Sequence, residues 1–195
     1  FRCVEQGVHV LTAGPVDLTK AEHGQMAEMA AKGQIRVTSG GQFRFSNHYR
    51  TIEQQCRKPA FGQAVYLRHL RGGGGSLLSA YWAAWDAVDM AVDLIGSDLQ
   101  FLLATAAKER SKHHIAITAG IGPATAQLLV APVHLPLNQE LMVTGTGGVV
   151  HTEGIGSSSV VVRQDGVLLN PHTGQFPEPP WLENFVDQLE ISESG

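Results

Sequence analysis

His151 and Glu153 are the two residues whose types and spacing come nearest to a catalytic pair in this sequence. Because side chains alternate along a strand, two residues separated by one position would lie on the same face of a sheet. A histidine beside a carboxylate can act as a general acid and base, or the two groups can form an ordinary surface hydrogen bond. The sequence places no nucleophile beside them, which favours the surface hydrogen bond over catalysis.

The segment around this pair, Gly147–Pro171, combines unusual residues in a fixed order. Thr152-Glu153-Gly154 is followed by a serine run that includes Ser157 and Ser158, then by valines and an Asp-Gly pair. This order resembles the cofactor-binding segment of class IV aminotransferases, the branched-chain and D-amino-acid type. The resemblance implies that Glu153 faces the ring nitrogen of pyridoxal phosphate, where a carboxylate keeps the ring an electron sink. It also implies that Ser157 and Ser158 line the cofactor.

The same segment has a simpler interpretation. An aminotransferase site would need a lysine, and only Lys108 or Lys112 could supply it. Asp165-Gly166 between two apolar runs is typical of a tight turn that joins antiparallel strands. We therefore favour a hairpin, with Glu153 on a solvated glycine-rich loop, because short motif matches without structural context are mostly false.

Gly120-Ile121-Gly122-Pro123 is the second segment that could do chemistry. Backbone N–H groups at a glycine-rich helix start can hold phosphate, and proline suits the first turn of a helix. On this hypothesis Gly120, Gly122 and Thr125 contact a phosphate or a cofactor. A dinucleotide-binding fingerprint would need a third small residue where Thr125 stands.

The Gly120–Gly122 turn has two further interpretations. It resembles the hairpin of helix-hairpin-helix DNA-binding modules, and in such a module the backbone would contact a DNA phosphate without reading sequence. Lys108, Arg110 and Lys112 lie just upstream and would add positive charge. The interpretation we favour is a strand–turn–helix or strand–turn–strand element of the core.

No metal site is predicted. Asp86, Asp89 and Asp93 recur along one side of a predicted helix, where a solvated polar face is far more common than a Ca²⁺ or Mg²⁺ site. None of the nine histidines has the spacing of a metal-ligand pair.

Hydrophobic periodicity and capping residues predict the helices. Thr19 and Glu22 have the spacing of a capping box, so a helix is expected from Thr19 to about Ala31. Leu77–Ile95 is the clearest helix, and Asp98 is expected to cap a second central helix over Leu99–Arg110. A short helix is expected at Arg50–Lys58 and a final amphipathic helix at Trp181–Leu189. The predicted core face of the first central helix carries Leu78, Tyr81, Trp82, Trp85, Val88 and Val92.

Alternating and apolar runs between glycine and proline predict the strands. A hairpin over Gln34–Ser46 is expected to turn at Gly40-Gly41. The remaining strands are expected at Val8–Thr12, Ala64–Leu70, Ile115–Thr118, Leu128–Val133, Glu140–Thr144, Ser159–Arg163 and Val167–Leu169. The order of elements predicts an α+β fold of mixed, mostly antiparallel strands, packed with two central helices and a C-terminal helix.

The glycine-rich stretch Gly72–Ser76 marks the best domain boundary, either as a natural loop or as an engineered joint. It divides an N-terminal α+β segment, residues 1–71, from a helical pair followed by a β-rich segment, residues 77–195. We expect the two segments to form one compact domain, since 195 residues suffice for a real core.

Composition limits the class of protein. A net charge of −4 argues against a broad nucleic-acid or anionic-membrane surface. Two widely spaced cysteines cannot form a disulfide scaffold, and reduced thiols are expected in the cytoplasm. No apolar run reaches the roughly 18–20 residues that span a bilayer. Nucleophile-elbow, P-loop, HExxH and CxxC motifs are absent, which argues against hydrolases, nucleotide triphosphatases and zinc enzymes.

The leading hypothesis is a binding or assembly subunit that self-associates within a larger protein or complex. The first alternative is an enzyme with a phosphate or cofactor site around Gly120–Gly122 and Glu153. The second is a nucleic-acid-contacting module that uses the Gly120–Gly122 turn. The expected partners are another copy of the chain or another protein, with a small-molecule ligand as an option, and the sequence identifies no cofactor. Whether the protein is an enzyme stays open at this point.

Overall fold

The computed structural model of the chain describes residues 2–12, 14, 18–39, 44, 47–72, 76–109, 112–131, 140–153, 160–164 and 167–172. The chain divides into two compact units, Phe1–Gln42 and Phe43–Gly195. Gly72 ends a strand and Ser76 caps the following helix, so the two ends of the glycine-rich stretch belong to the second unit. The predicted C-terminal helix at Trp181–Leu189 lies outside the described residues.

The first unit contains α1 (Arg2–Glu5), β1 (Val10–Thr12), α2 (Lys20–Gly33) and β2 (Val37–Ser39). The two strands are parallel neighbours, with Val10 opposite Val37. The predicted capping box is confirmed: the Thr19 side chain accepts from the backbone N–H of Glu22, whose carboxylate accepts from the N–H of Thr19. Strand β2 pairs with β1. The segment around Phe43–Phe45, which was predicted to pair with β2 in a hairpin, lies almost wholly outside the described residues.

The second unit is built on one eight-stranded sheet with the order β10-β9-β8-β7-β3-β6-β5-β4. Its strands are β3 (Ala64–Gly72), β4 (Leu99–Glu109), β5 (Lys112–Ile121), β6 (Ala124–Ala131), β7 (Glu140–Gly145), β8 (Gly148–Glu153), β9 (Val160–Gln164) and β10 (Val167–His172). Its helices are α3 (Asn47–Cys56), a single 3₁₀ turn at Pro59–Phe61, and α4 (Leu77–Ile95). All neighbouring pairs are antiparallel except β3 and β6, which run parallel.

Helix α4 packs on one face of this sheet, over β3, β5 and β6. The alternation of side chains sends Leu67, His69 and Leu128 towards the core, and Arg68, Gln127 and Leu129 towards the opposite, open face. The open face is polar and apolar in patches, and no described helix packs on it.

The core face of α4 differs in part from the prediction, since Val88 and Val92 pack against the core as expected and the first three predicted residues do not. Small residues line it, because alanine lets the helix backbone approach the sheet closely. Leu78, Tyr81 and Trp82 lie instead on the exposed side, with 65%, 56% and 45% of their surface accessible. The buried residues of the helix are Ala80, Ala83, Ala84, Asp86, Ala87, Met90, Ala91 and Leu94.

The predicted α+β class is confirmed, and one central helix is corrected. Leu99–Arg110 was expected to be a helix, but Leu99–Glu109 forms strand β4 and pairs along its length with β5. Its alanines, leucines, lysine and glutamate favour a helix locally, and pairing with β5 overrides that weak preference. Among the described helices, none is long and apolar enough to cross a membrane.

Candidate functional site

The Gly120–Gly122 segment is the tip of the β5–β6 hairpin, with Ile121 opposite Ala124. Gly122 has φ of +52° and its N–H donates to the Asp98 carbonyl at 3.1 Å. A Cβ on Gly120 would collide with the ring of Phe101. These glycines serve the turn and the packing, so the expected helix start is wrong and the strand–turn–strand alternative is confirmed. The assignment of Gly120, Gly122 and Thr125 to a phosphate or cofactor stays a prediction. Thr125 is exposed on β6 opposite Gly120.

His151 and Glu153 lie on strand β8, not on a solvated loop. Glu153 stands opposite Glu140 of β7 in the register. The His151 Nε2 lies 3.4 Å from the Glu140 Oε1, and Glu140 also accepts a hydrogen bond from Arg68 of β3. That bond from Arg68 is the main reason that the pKa of the Glu140 carboxyl lies below its ordinary value. Ser157 and Ser158 fall outside the described residues.

The Gly120 turn and Glu153 do not converge on one pocket. The register runs from Glu153 to Glu140, then to Leu70 of β3 and Leu129 of β6. Ala124, where the turn enters β6, lies roughly 17 Å from Leu129 along the strand and three strands, roughly 14 Å, to the side of β8. The two segments that the enzyme alternative combines therefore lie apart in the sheet.

The lysines also lie far from the positions that the other interpretations need. Lys112 on β5 and Lys108 on β4 are four and five strands from β8, roughly 19 and 24 Å from Glu153. Lys112 lies at the opposite end of β5 from Gly120, roughly 26 Å away. This geometry supports neither a lysine-bound pyridoxal phosphate at Glu153 nor a basic patch beside the Gly120 turn.

The open face carries a shallow depression of about 470 Å³. Arg68 and Glu140 form an ion pair at its rim, and Gln127 accepts a 2.8 Å hydrogen bond from the hydroxyl of Tyr66. Thr118 and Leu129 complete the lining on β5 and β6. The pairs Arg68–Glu140 and Tyr66–Gln127 therefore engage part of the polar groups of this depression.

The aspartates of α4 were expected to be solvated, and that expectation is wrong. Arg44 binds Asp89 at 3.2 Å and Asp93 at 2.5 Å, while the Tyr49 hydroxyl donates to Asp93. Burial, followed by its bond to Asp93, raises the pKa of Tyr49 well above its ordinary value. Among the described residues, no cluster of three His, Cys, Asp or Glu side chains could hold a metal ion.

Asp86, the third aspartate, belongs to a buried polar group between α4 and β3. Its Oδ2 accepts a hydrogen bond from the Nη1 of Arg71, and only 7% of the Asp86 side chain and 21% of the Arg71 side chain are exposed. The Asp86 Oδ1 has no hydrogen-bond partner among the described residues. Such a buried ion pair is weak evidence for stability, and strongly perturbed buried charges gather at functional sites.

His69 completes this group from the same face of β3, two residues before Arg71. It is 1% exposed. Burial, with a smaller effect from the charge of Arg71, lowers the pKa of His69 to about 3, so the imidazole is neutral near pH 7. Burial also lowers the pKa of Arg71. We name His69, Arg71 and Asp86 the strand-end group.

The strand-end group lies where functional sites of sheets commonly form. Arg71 pairs with Val130 and Gly72 with Ala131, at the carboxyl ends of the parallel strands β3 and β6. Ligands of open α/β sheets bind outside the carboxyl ends of parallel strands. Neither Arg71 nor His69 belongs to a motif, and their only indication in the sequence is that two successive core-facing positions of a predicted strand are ionisable.

Comparisons with known proteins place the fold in one class. No protein-family model and no curated protein sequence matches the chain. In fold, the chain is similar to an oxidoreductase from Agrobacterium radiobacter in complex with NAD+, L-tartaric acid and magnesium, with a TM-score of 0.79 and 13% identity over 97% of this chain and 65% of that one.

Two further structures agree. An aldose-aldose oxidoreductase from Caulobacter crescentus complexed with glycerol gives a TM-score of 0.75 and 18% identity over 100% of this chain and 64% of that one. A dehydrogenase (MviM) from Clostridium difficile gives 0.73 and 14% over 96% of this chain and 62% of that one. The chain thus spans less than two thirds of these proteins' lengths.

These similarities correct the leading hypothesis of the sequence analysis. A binding or assembly subunit was expected, whereas the similar folds are those of oxidoreductases and dehydrogenases. The chain therefore shares its fold with oxidoreductases and dehydrogenases. The prediction of a homo-oligomer or a protein partner stays a prediction.

Proposed function

We propose that this chain is the sheet-bearing part of a nicotinamide-dependent oxidoreductase. The observation that carries the proposal is the similarity of nearly the whole chain, 97% of it at a TM-score of 0.79, to an oxidoreductase whose structure contains NAD+. At 13% identity this similarity concerns the fold, so the activity itself is our inference.

The described residues do not fit the pyrophosphate of a dinucleotide. That group needs free backbone N–H groups at a glycine-rich helix start. The start of α2 is closed by its own side chains, since Thr19 accepts from the Glu22 N–H and the Glu22 carboxylate adds negative charge there. The start of α4 follows the glycine-rich stretch, and there the Ser76 side chain accepts from the Ser79 N–H. The Gly120–Gly122 turn joins two strands. In our proposal, cofactor binding therefore falls to residues beyond the described ones.

The described part would instead form one wall of the substrate site, at the strand-end group. Arg71, Asp86 and His69 lie at the carboxyl ends of β3 and β6. The similar proteins were crystallised with L-tartaric acid and with glycerol, both small and hydroxylated. We propose a small hydroxylated substrate for this chain as well. We also propose a cytoplasmic location, which the free thiols of Cys3 and Cys56 support.

Cofactor binding is the direct test, made on the longest natural form of the protein. NADH and NADPH are titrated separately, and energy transfer from tryptophan to the bound nicotinamide is recorded. We expect saturable transfer with one of the two cofactors, reversed by ADP-ribose but not by AMP. Hydroxylated acids, polyols and aldoses are then screened for formation of the reduced cofactor. Binding of neither cofactor would overturn the proposal.

A further inference from the structure

Arg71 presents a guanidinium that is fixed on one side and accessible on the other. Its Nη1 donates to Asp86 of α4, which is 5% exposed. The Arg71 side chain stays 21% exposed, and Arg71 lies one residue before the carboxyl end of β3. Arginine carries five N–H donors in a rigid planar fork. Because the bond to Asp86 already orients this fork, a ligand that binds the other donors would cost less side-chain entropy.

Two large apolar side chains precede Asp86 along α4 at helical spacing. Leu78, Trp82 and Asp86 are spaced by four residues, and side chains at this spacing are neighbours on a helix surface. Burial falls along this series: Asp86 is 5% exposed, Trp82 45% and Leu78 65%. The indole of Trp82 therefore lies one helical turn from the partner of Arg71, on the exposed side of the helix.

The charges around the site favour a bidentate ligand over a highly charged one. Arg71 and Asp86 together carry no net charge, and the neighbouring His69 is neutral near pH 7. A multiply charged phosphate gains most from several cations, whereas a carboxylate matches the planar fork of a single arginine. The flat indole face suits the carbon skeleton that carries the carboxylate.

We propose that Arg71, held in place by Asp86, binds the carboxylate of a small organic acid whose carbon skeleton packs on Trp82. This site deepens the proposed function and rests on it for its meaning, because the acid would be the substrate or product of the oxidoreductase. Binding itself requires no cofactor and can be measured alone.

The experiment is isothermal titration of the longest natural form of the protein, without cofactor, using L-tartrate, its neutral counterpart threitol, and inorganic phosphate. We expect tartrate to bind, and threitol and phosphate to bind at least about tenfold more weakly, since a charged hydrogen-bond pair contributes that much. Equal binding of phosphate would overturn the carboxylate assignment, and no binding of tartrate would overturn the site.

Three variants test the residue assignment. Arg71→Lys keeps the charge beside Asp86 but loses the fork, and it should weaken tartrate binding about tenfold. The double variant Arg71→Gln with Asp86→Asn removes both charges, so that neither is left unpaired, and should abolish the difference between tartrate and threitol. Arg57→Gln is the matched control, because 71% of the Arg57 side chain is exposed and its ion pair among the described residues is with Glu53. Full tartrate binding by both Arg71 variants would overturn the proposal.

The two proposals fail separately. Tartrate binding that depends on Arg71, without binding of NADH or NADPH, would overturn the oxidoreductase and keep the carboxylate site. Cofactor binding with tartrate affinity unchanged in Arg71→Lys would keep the oxidoreductase and overturn the carboxylate site.

Discussion

Two arginines three residues apart on β3 form ion pairs on opposite faces of the same sheet. Arg71 and Asp86 pair on the core face, with 21% and 7% of their side chains exposed. Arg68 and Glu140 pair on the open face, with 49% and 28% exposed. The chemistry is the same, and the solvent differs. Water screens the outer pair and can solvate either charge if the pair breaks. In the inner pair, each buried charge is stabilised mainly by its partner.

The largest expected effect comes from breaking the inner pair. Asp86→Asn removes the carboxylate that neutralises Arg71 under α4. Because a buried charge is then left unpaired, the free energy of unfolding should fall by about 3–5 kcal/mol. Urea denaturation monitored by tryptophan fluorescence measures this change.

The control is the double variant Arg71→Met with Asp86→Leu, which removes both charges and fills the space with apolar groups. Its stability should lie close to that of the original chain, because the cost of burying the pair disappears with its attraction. If Asp86→Asn were as stable as the original chain, the inner pair would be no more sensitive to the loss of one partner than an exposed pair, which would contradict the difference drawn between the two faces.

The second effect is a pH dependence that belongs to the core face. The folded-state pKa of His69 is about 3, whereas an unfolded histidine titrates near pH 6.5. Below about pH 6.5 the unfolded chain binds a proton that the folded chain excludes, so the contribution of His69 to stability is complete above that pH and is lost as the pH falls. Between pH 7 and pH 5 this loss should reach about 2 kcal/mol.

Urea denaturation at several pH values checks this prediction with two variants. In His69→Gln the loss between pH 7 and pH 5 should shrink by about 2 kcal/mol. In Thr118→Val, on the open face, no titratable group changes, so the pH dependence should stay that of the original chain. An identical pH dependence in all three proteins would contradict the assignment to His69.

The smallest effect is expected on the open face. Arg68→Gln breaks the pair with Glu140, and the free energy of unfolding should change by about 0–1 kcal/mol. The change is small because water solvates the Glu140 carboxylate once its partner is removed. Raising the salt concentration should abolish even this difference. A loss as large as that of Asp86→Asn would show that the open face is buried by something in solution.

Local patterns sufficed for parts of the fold. The Thr19–Glu22 capping box, the helix Leu77–Ile95 and the strand beginning at Ala64 form as predicted, because caps, helical periodicity and strand alternation act over a few residues. The Leu99–Glu109 segment shows the limit of such patterns. Its composition suits a helix, yet it forms a strand, since its neighbour β5 supplies the hydrogen bonds that decide its structure.

The candidate site was beyond local patterns for a related reason. Gly120 and Glu153 were candidate site residues because of their neighbours in sequence. The register of the sheet places them on different strands and far apart along the strand direction. Arg71 and Asp86 are fifteen residues apart and neither belongs to a motif, so only the packing of α4 on β3 brings them together.

The sequence by itself determined the α+β class, most of the strands and the two well-capped helices, because these depend on short-range periodicity and capping. Only the tertiary structure decided which aspartate is buried, which face of α4 meets the sheet, and which pair of strands runs parallel. Those outcomes depend on contacts between distant segments, where burial changes the energy of a charge by several kcal/mol while its residue type stays the same.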